Sequence, residues 1–251
     1  MKWLQVGKGD EVAKDDCKKH GTSMLSLVAG GKCGVAKNAN PTIVRMPCRK
    51  GEHAERLAFQ PADWIDGLSM VNDELDSSYP SVVSMSVFWR KDYFTSPDEE
   101  LHENGFLIRH LELLESLAAK GAILVTGTGN EGYPKVEGIP AKFAKTSIDT
   151  FHVPSLSVMG GLSPDGRYMM GNFEDAVGLP HAYGPGLRVR SVDADETFWN
   201  QNDGYYYARG ISCATALTAG LAAYTIRLSQ LGLLDVKTDP QSIKDFIISQ
   251  T

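Results

Sequence analysis

Gly210-Ile211-Ser212-Cys213-Ala214-Thr215 runs directly into Ala216-Leu217-Thr218-Ala219-Gly220-Leu221-Ala222-Ala223. A glycine, a β-branched residue and a serine open a long run of small and apolar residues. The run has almost no polar face, so it reads as a buried helix. The serine then sits in the first turn, where free backbone N–H groups and the positive end of the dipole gather. A hydroxyl held there is placed to be a nucleophile whose product oxyanion is stabilised. The ordinary alternative is a serine N-cap on a core helix.

Two further segments bear on that choice. His20-Gly21-Thr22-Ser23-Met24-Leu25-Ser26-Leu27-Val28-Ala29-Gly30 puts a histidine at the mouth of a second short apolar helix. Ala122-Ile123-Leu124-Val125-Thr126-Gly127-Thr128-Gly129-Asn130-Glu131-Gly132 is a buried strand ending in a glycine turn that carries an asparagine. Alone, His20 could be a loop histidine, and Asn130 could simply occupy a left-handed turn. Together, acyl transfer to a serine needs a base for the hydroxyl proton and donors aimed at the tetrahedral oxyanion. Imidazole titrates near neutrality and suits the first role; a carboxamide suits the second.

Histidine, asparagine and serine, in this order and these settings, resemble the subtilisin-like serine peptidase family. The resemblance lies in H-G-T followed by V-A-G, in G-N-E-G after an apolar strand, and in G-x-S-x-A-T followed by A-G-L-A-A. It runs from about Lys19 to the C-terminal helices. It implies an α/β fold of three layers, a mostly parallel central sheet with helices on both faces, formed by one domain over residues 1–251. It implies Ser212 as nucleophile, His20 as base and Asn130 as oxyanion donor, acting on a peptide or protein substrate. It also implies that Ser84 and Ser86, in Ser84-Met85-Ser86-Val87-Phe88-Trp89, pair with the peptide, with Thr128 and Gly129 on the opposite wall. The family's glycines are missing from the first segment, and Phe88 and Trp89 reshape the pocket there.

The family triad also contains an aspartate, which ends an apolar strand upstream of the histidine. Only 19 residues precede His20. Asp10, Asp15 and Asp16 lie among them, but no apolar strand ends in Asp-Ser/Thr-Gly. Ala216 stands where the family has proline, and Ile211 where it has threonine. The expectation is an N-terminally truncated peptidase domain, weakly active or inactive alone. A non-catalytic module that binds peptides or partners is the alternative.

Composition fits a single large core: 251 residues, 42% hydrophobic and 22% charged. A net charge of −6 without a Lys/Arg cluster argues against nucleic acid as a partner. No apolar run approaching 18 residues is evident in the sequence, so no membrane span is expected. The N-terminus lacks the apolar stretch of a signal peptide, although members of the family are often secreted. A monomer without cofactor is expected. Cys17, Cys33, Cys48 and Cys213 form no C-x-x-C pair, which leaves zinc and thioredoxin-type chemistry unsupported. Cys213 reads as a packing residue. No metal ligand set is recognisable, and calcium enters only through the resemblance.

Along the chain, strands are expected at 40–47, 81–89, 122–125 and 155–159. Helices are expected over 56–71, from a capping box at Ser96-Pro97-Asp98-Glu99 to Gly121, and in the last 40 residues, split around Gly232 and Asp239-Pro240. Residues 160–209 read as loops and short antiparallel strands. Two rival enzymes fit less well. Gly127-Thr128-Gly129-Asn130-Glu131-Gly132 satisfies the dinucleotide-binding G-x-G-x-x-G, with Asp149 at the right spacing, but Pro134, Gly138 and Pro140 oppose the helix that a nucleotide-binding oxidoreductase requires. An α/β-hydrolase needs a second glycine after Ser212 and a later histidine, and both are missing.

Overall fold

Parallel strands need a long crossover between them, whereas antiparallel ones can be joined by a turn; both connections occur in this chain. The computed structural model describes residues 1–7, 20–47, 49–50, 57–58, 60–89, 104–130, 136, 138–144, 152–169, 178–193 and 204–250. Strand β1 (Lys2–Gln5) leads to α1 (His20–Ala29) and β2 (Thr42–Arg45), which pairs in parallel with β1. A two-residue ladder, β3 (Arg49–Lys50) with β4 (Leu57–Ala58), precedes α2 (Pro61–Glu74). Then come β5 (Ser81–Met85), α3 (Gly105–Ala119), β6 (Ala122–Gly127), β7 (Ser157–Leu162) and β8 (Ala182–Pro185), which form one parallel sheet in the order β5-β6-β7-β8. The antiparallel hairpin β9 (Leu187–Val192) and β10 (Tyr205–Arg209) follows, then α4 (Ile211–Gln230) and α5 (Pro240–Ser249).

Every residue of β6 is buried. Successive side chains of a strand point to opposite faces, and β6 feeds two cores accordingly. Ala122 and Leu124 join Met85 and Val158 beneath Trp64 and Leu68 of α2 and Leu107, Leu111 and Leu114 of α3. Ile123 and Val125 join Met159 and Ala182 beneath Ala219 and Ile226 of α4 and Ile243 and Ile247 of α5. The result is the expected three-layer α/β arrangement. Met24 and Leu27 of α1 pack on Cys213 and Ala216 of α4 and on Ala208 of β10.

Several boundaries differ from the sequence reading. The helix expected over 56–71 begins at Pro61, where Gln60 N–H donates to Asp63 Oδ2 at 2.7 Å. The strand expected over 81–89 ends at Met85. The capping box at 96–99 lies outside the described residues. Helix α3 starts at the Asn104-Gly105 pair, because Asn104 Oδ1 accepts from Phe106 N and Leu107 N at 3.1 and 3.2 Å. Neither β1 nor the parallel strand β8 is anticipated. Gly121 ends α3 with φ 87° as expected. Helix α4 is long and apolar enough by composition to cross a membrane, contrary to expectation; it lies mostly buried against the sheet as a core helix.

Two buried polar clusters matter below. His110 of α3 is fully buried, edge-on to Trp64, Phe106 and Phe143. Its Nε2 accepts from Trp64 Nε1–H at 3.0 Å, while its Nδ1 has no partner among the described residues. Burial pushes its pKa down to about 3. On α5, Lys244 Nζ reaches Pro154 O at 2.5 Å and His181 Nε2 at 3.2 Å, and His181 Nδ1 accepts from Val158 N at 3.1 Å. Burial, then the Lys244 charge, lowers His181 to about 4, and burial lowers Lys244 to about 8.

Candidate active site

The site is built where β6 meets α4. A Cβ on Gly127 would fall 2.6 Å from Ile211 Cγ2 and 2.7 Å from Thr215 Oγ1. Only glycine lets the first turn of α4 come so close to the strand end. Thr128 N donates to Met159 O at 3.1 Å, and Gly129 then turns the chain with φ 92°. Gly129, not Asn130, takes the left-handed conformation, so Asn130 is not explained as a turn residue. Its side chain points to α4, where Oδ1 accepts from Ile211 N at 2.9 Å. One otherwise orphaned N–H of the helix start is thereby satisfied, which makes Nδ2 the donor end of the amide.

The N-cap of α4 is Gly210, at φ 132°, whose N–H donates to Gly186 O at 2.8 Å. A Cβ there would meet Asn130 Oδ1 at 3.4 Å. Ser212 is therefore the second residue of the helix, and its hydroxyl is not the cap. Its carbonyl accepts from Ser86 Oγ at 3.2 Å, which ties the segment after β5 to the helix start. His20 is the first residue of α1 and is exposed, carried to α4 by the apolar contacts between the two helices.

These pieces enclose one cleft of about 250 Å³, and His20, Asn130 and Ser212 all line it. Ser86 and Gly129 line it too; Ser84, exposed on β5, and Thr128, buried with its N–H bound to Met159, do not. Val87 and Phe88 form part of the wall. Phe88 packs against Gly138, where a Cβ would fall 1.6 Å from its ring. Trp89 exchanges backbone hydrogen bonds with Ile139 at 2.9 and 2.8 Å and fixes this wall. Gly127, Ile211 and Thr215 complete the lining; the motifs contain them, but the sequence does not mark them as site residues. Their signal is steric: a glycine at a strand end facing a β-branched residue at a helix start.

Asp10, Asp15 and Asp16 lie outside the described residues. Among the described residues no carboxylate lines the cleft, and no group of three or more His, Cys, Asp or Glu could hold a metal ion. Calcium, allowed by the resemblance, finds no such cluster among them, and no step below uses it. Cys213 follows Ser212 but is buried, and burial pushes its thiol up to about 11, so it packs rather than reacts.

Comparison with known proteins finds relatives that match over most of the chain. The chain is 26% identical over 217 residues to subtilisin-like protease 1 of Pseudogymnoascus destructans, covering 84% of this chain and 43% of that protein. It is 23% identical to alkaline serine exoprotease A of Vibrio alginolyticus, covering 94% of this chain and 35% of that protein. The chain thus spans less than half the length of these curated relatives. The crystal structure of a cold adapted subtilisin-like serine proteinase superposes with a TM-score of 0.65 at 22% identity, over 99% of this chain and 74% of the other. The self-cleaved protease domain of PatA gives 0.61 at 16% identity, over 97% and 78%. At these identities the structural likeness speaks for the fold. The Subtilase family model, Peptidase_S8, matches residues 5–251, and the chain belongs to that family.

Proposed function

We propose that this chain hydrolyses peptide bonds through an acyl-enzyme on Ser212. Ser212 Oγ attacks the scissile carbonyl carbon while His20 takes its proton. The tetrahedral oxyanion accepts hydrogen bonds from Asn130 Nδ2 and the Ser212 backbone N–H. His20 then gives its proton to the leaving amine, and water repeats the sequence to release the acyl group. The observation that carries this reading is that His20, Asn130 and Ser212 line one cleft at the start of a buried helix, although far apart in sequence.

The substrate is an extended peptide laid along the segment after β5, where Ser86 already bonds to the nucleophile's own carbonyl. The rate in this reading depends on the group that holds the His20 imidazole in one tautomer; removing the aspartate alone from a subtilisin triad costs about 3 × 10⁴ in kcat. The second reading is a peptide-binding module without turnover, which the same cleft would also serve.

A fluorophosphonate separates the two. In the first reading the purified chain is labelled, the adduct maps to Ser212, and both Ser212→Ala and His20→Ala lose it. An unlabelled chain that still binds extended peptides would establish the second.

A further inference from the structure

Helix α1 carries His20 to the cleft, and a buried group of hydroxyls holds that helix. Ser23 and Ser26, three residues apart, share one face of α1. Both are buried, as is Ser191 of β9. Tyr206 Oη donates to Ser23 Oγ at 3.1 Å, and Ser23 Oγ donates to Val192 O at 3.0 Å. Ser26 Oγ donates to Ser23 O at 2.7 Å and accepts from Val192 N at 3.2 Å. Ser191 Oγ lies 3.1 Å from both Ser26 Oγ and Ser23 O. Each of the four hydroxyl protons therefore has an acceptor, and the network leaves none unused.

The hairpin that receives these bonds also delivers the nucleophile. Strand β10 ends at Arg209 and passes through Gly210 into Ser212. One strand of the hairpin is thus fastened to the helix of the base, and the other continues into the helix of the nucleophile. Met24, Leu27, Ala208, Cys213 and Ala216 fill the space between them. Apolar contact is non-directional and tolerates sliding; hydrogen bonds demand one alignment.

We infer that Ser23, Ser26 and Ser191, with Tyr206, are positioning residues: a clamp that fixes the register of α1 on the β9–β10 hairpin and so holds His20 over Ser212. The consequence for catalysis rests on the peptidase reading; the clamp itself rests on the geometry alone.

The test uses the full chain with Ser26→Ala, Ser191→Ala, the milder Tyr206→Phe, and Ser191→Thr, which keeps the hydroxyl. Amide exchange over residues 21–29 and the pH profile of fluorophosphonate labelling are both read. Loss of the clamp should speed exchange in α1 but not in α4, and lower the labelling plateau by about 10- to 100-fold. Ser191→Thr should restore both. Faster exchange with an unchanged plateau would reduce the serines to structural support and overturn the positioning role. Unchanged exchange would overturn the clamp. Failure of the parent chain to label would refute the peptidase reading instead. The clamp is then decided by NMR titration of the His20 imidazole, which should shift and broaden in Ser191→Ala; an imidazole signal identical to the parent's would overturn it.

Discussion

Acidification should unfold this protein through His110, and replacing that residue should remove much of the effect. In the folded state the ring is fully buried and neutral, with its pKa lowered to about 3. In the unfolded chain the same imidazole takes a proton near pH 6.5, about its ordinary value. Below that pH the unfolded state binds more protons, so stability falls with pH until the folded value is reached. Each unit of difference is worth about 1.4 kcal/mol, so the two units down to pH 4.5 cost about 2.7 kcal/mol. That is a large share of the ~5–15 kcal/mol that holds a domain folded. His181, lowered to about 4, adds in the same direction over the same window, by less because it is partly exposed. His110→Phe keeps a ring among Trp64, Phe106 and Phe143. It removes the His110 acceptor of Trp64 Nε1–H, at about 1–3 kcal/mol, and with it an Nδ1 that has no partner among the described residues. The variant should be no more stable than the parent near pH 7 and more stable near pH 4.5, so the two curves cross. Urea titrations followed by tryptophan fluorescence, in a Ser212→Ala background that prevents self-digestion, measure both. Parallel curves, with the same fall in stability in parent and variant, would refute the reasoning.

Other outcomes follow from the same geometry. Asn130→Ala should lower kcat on a peptide substrate by about 10²–10³ with little change in KM, a magnitude known for the equivalent donor of a subtilisin; a loss confined to KM would make Asn130 a binding residue only. Gly127→Ala should destabilise the fold by about 1–3 kcal/mol through overpacking against Ile211 and Thr215, measured by thermal unfolding. Cys213 should resist maleimide in the native protein and react once urea unfolds it, because its thiol is buried and held near 11. Lys244, lowered to about 8, deprotonates in the folded state before the unfolded one does. Stability should therefore rise from about pH 8 toward 10.5, and Lys244→Met should flatten that rise in urea titrations.

The site was legible where backbone geometry dictates the residue. Gly127, Gly129 and Gly210 stand where a close approach or a positive φ excludes side chains, and Asn130 and Ser212, one and two residues after Gly129 and Gly210, line the cleft. The two apolar helices, α1 and α4, were legible from their unbroken small and apolar runs. Strand β8 was not, because Ala-Tyr-Gly-Pro contains two poor strand formers and becomes a strand only by pairing with β7. The start of α2 carried a signal that was passed over: Gln60-Pro61-Ala62-Asp63 places proline in the first turn and a carboxylate on the N-cap N–H. Of the substrate-binding residues that the resemblance implied, Ser86 and Gly129 line the cleft and Ser84 and Thr128 do not, because a motif carries residue types and not the wall that each side chain faces. The serine network left no trace in the sequence, since its members lie up to 183 residues apart.

The parallel strands fall into two separate ladders, β1–β2 and β5–β8. Among the described residues β5 has a single neighbour, and Val82 and Val83 remain half-buried where every residue of β6 is covered. Unclaimed amides and carbonyls along such a border recruit any passing extended polypeptide. Concentrated preparations are therefore the ones to check for self-association along this border.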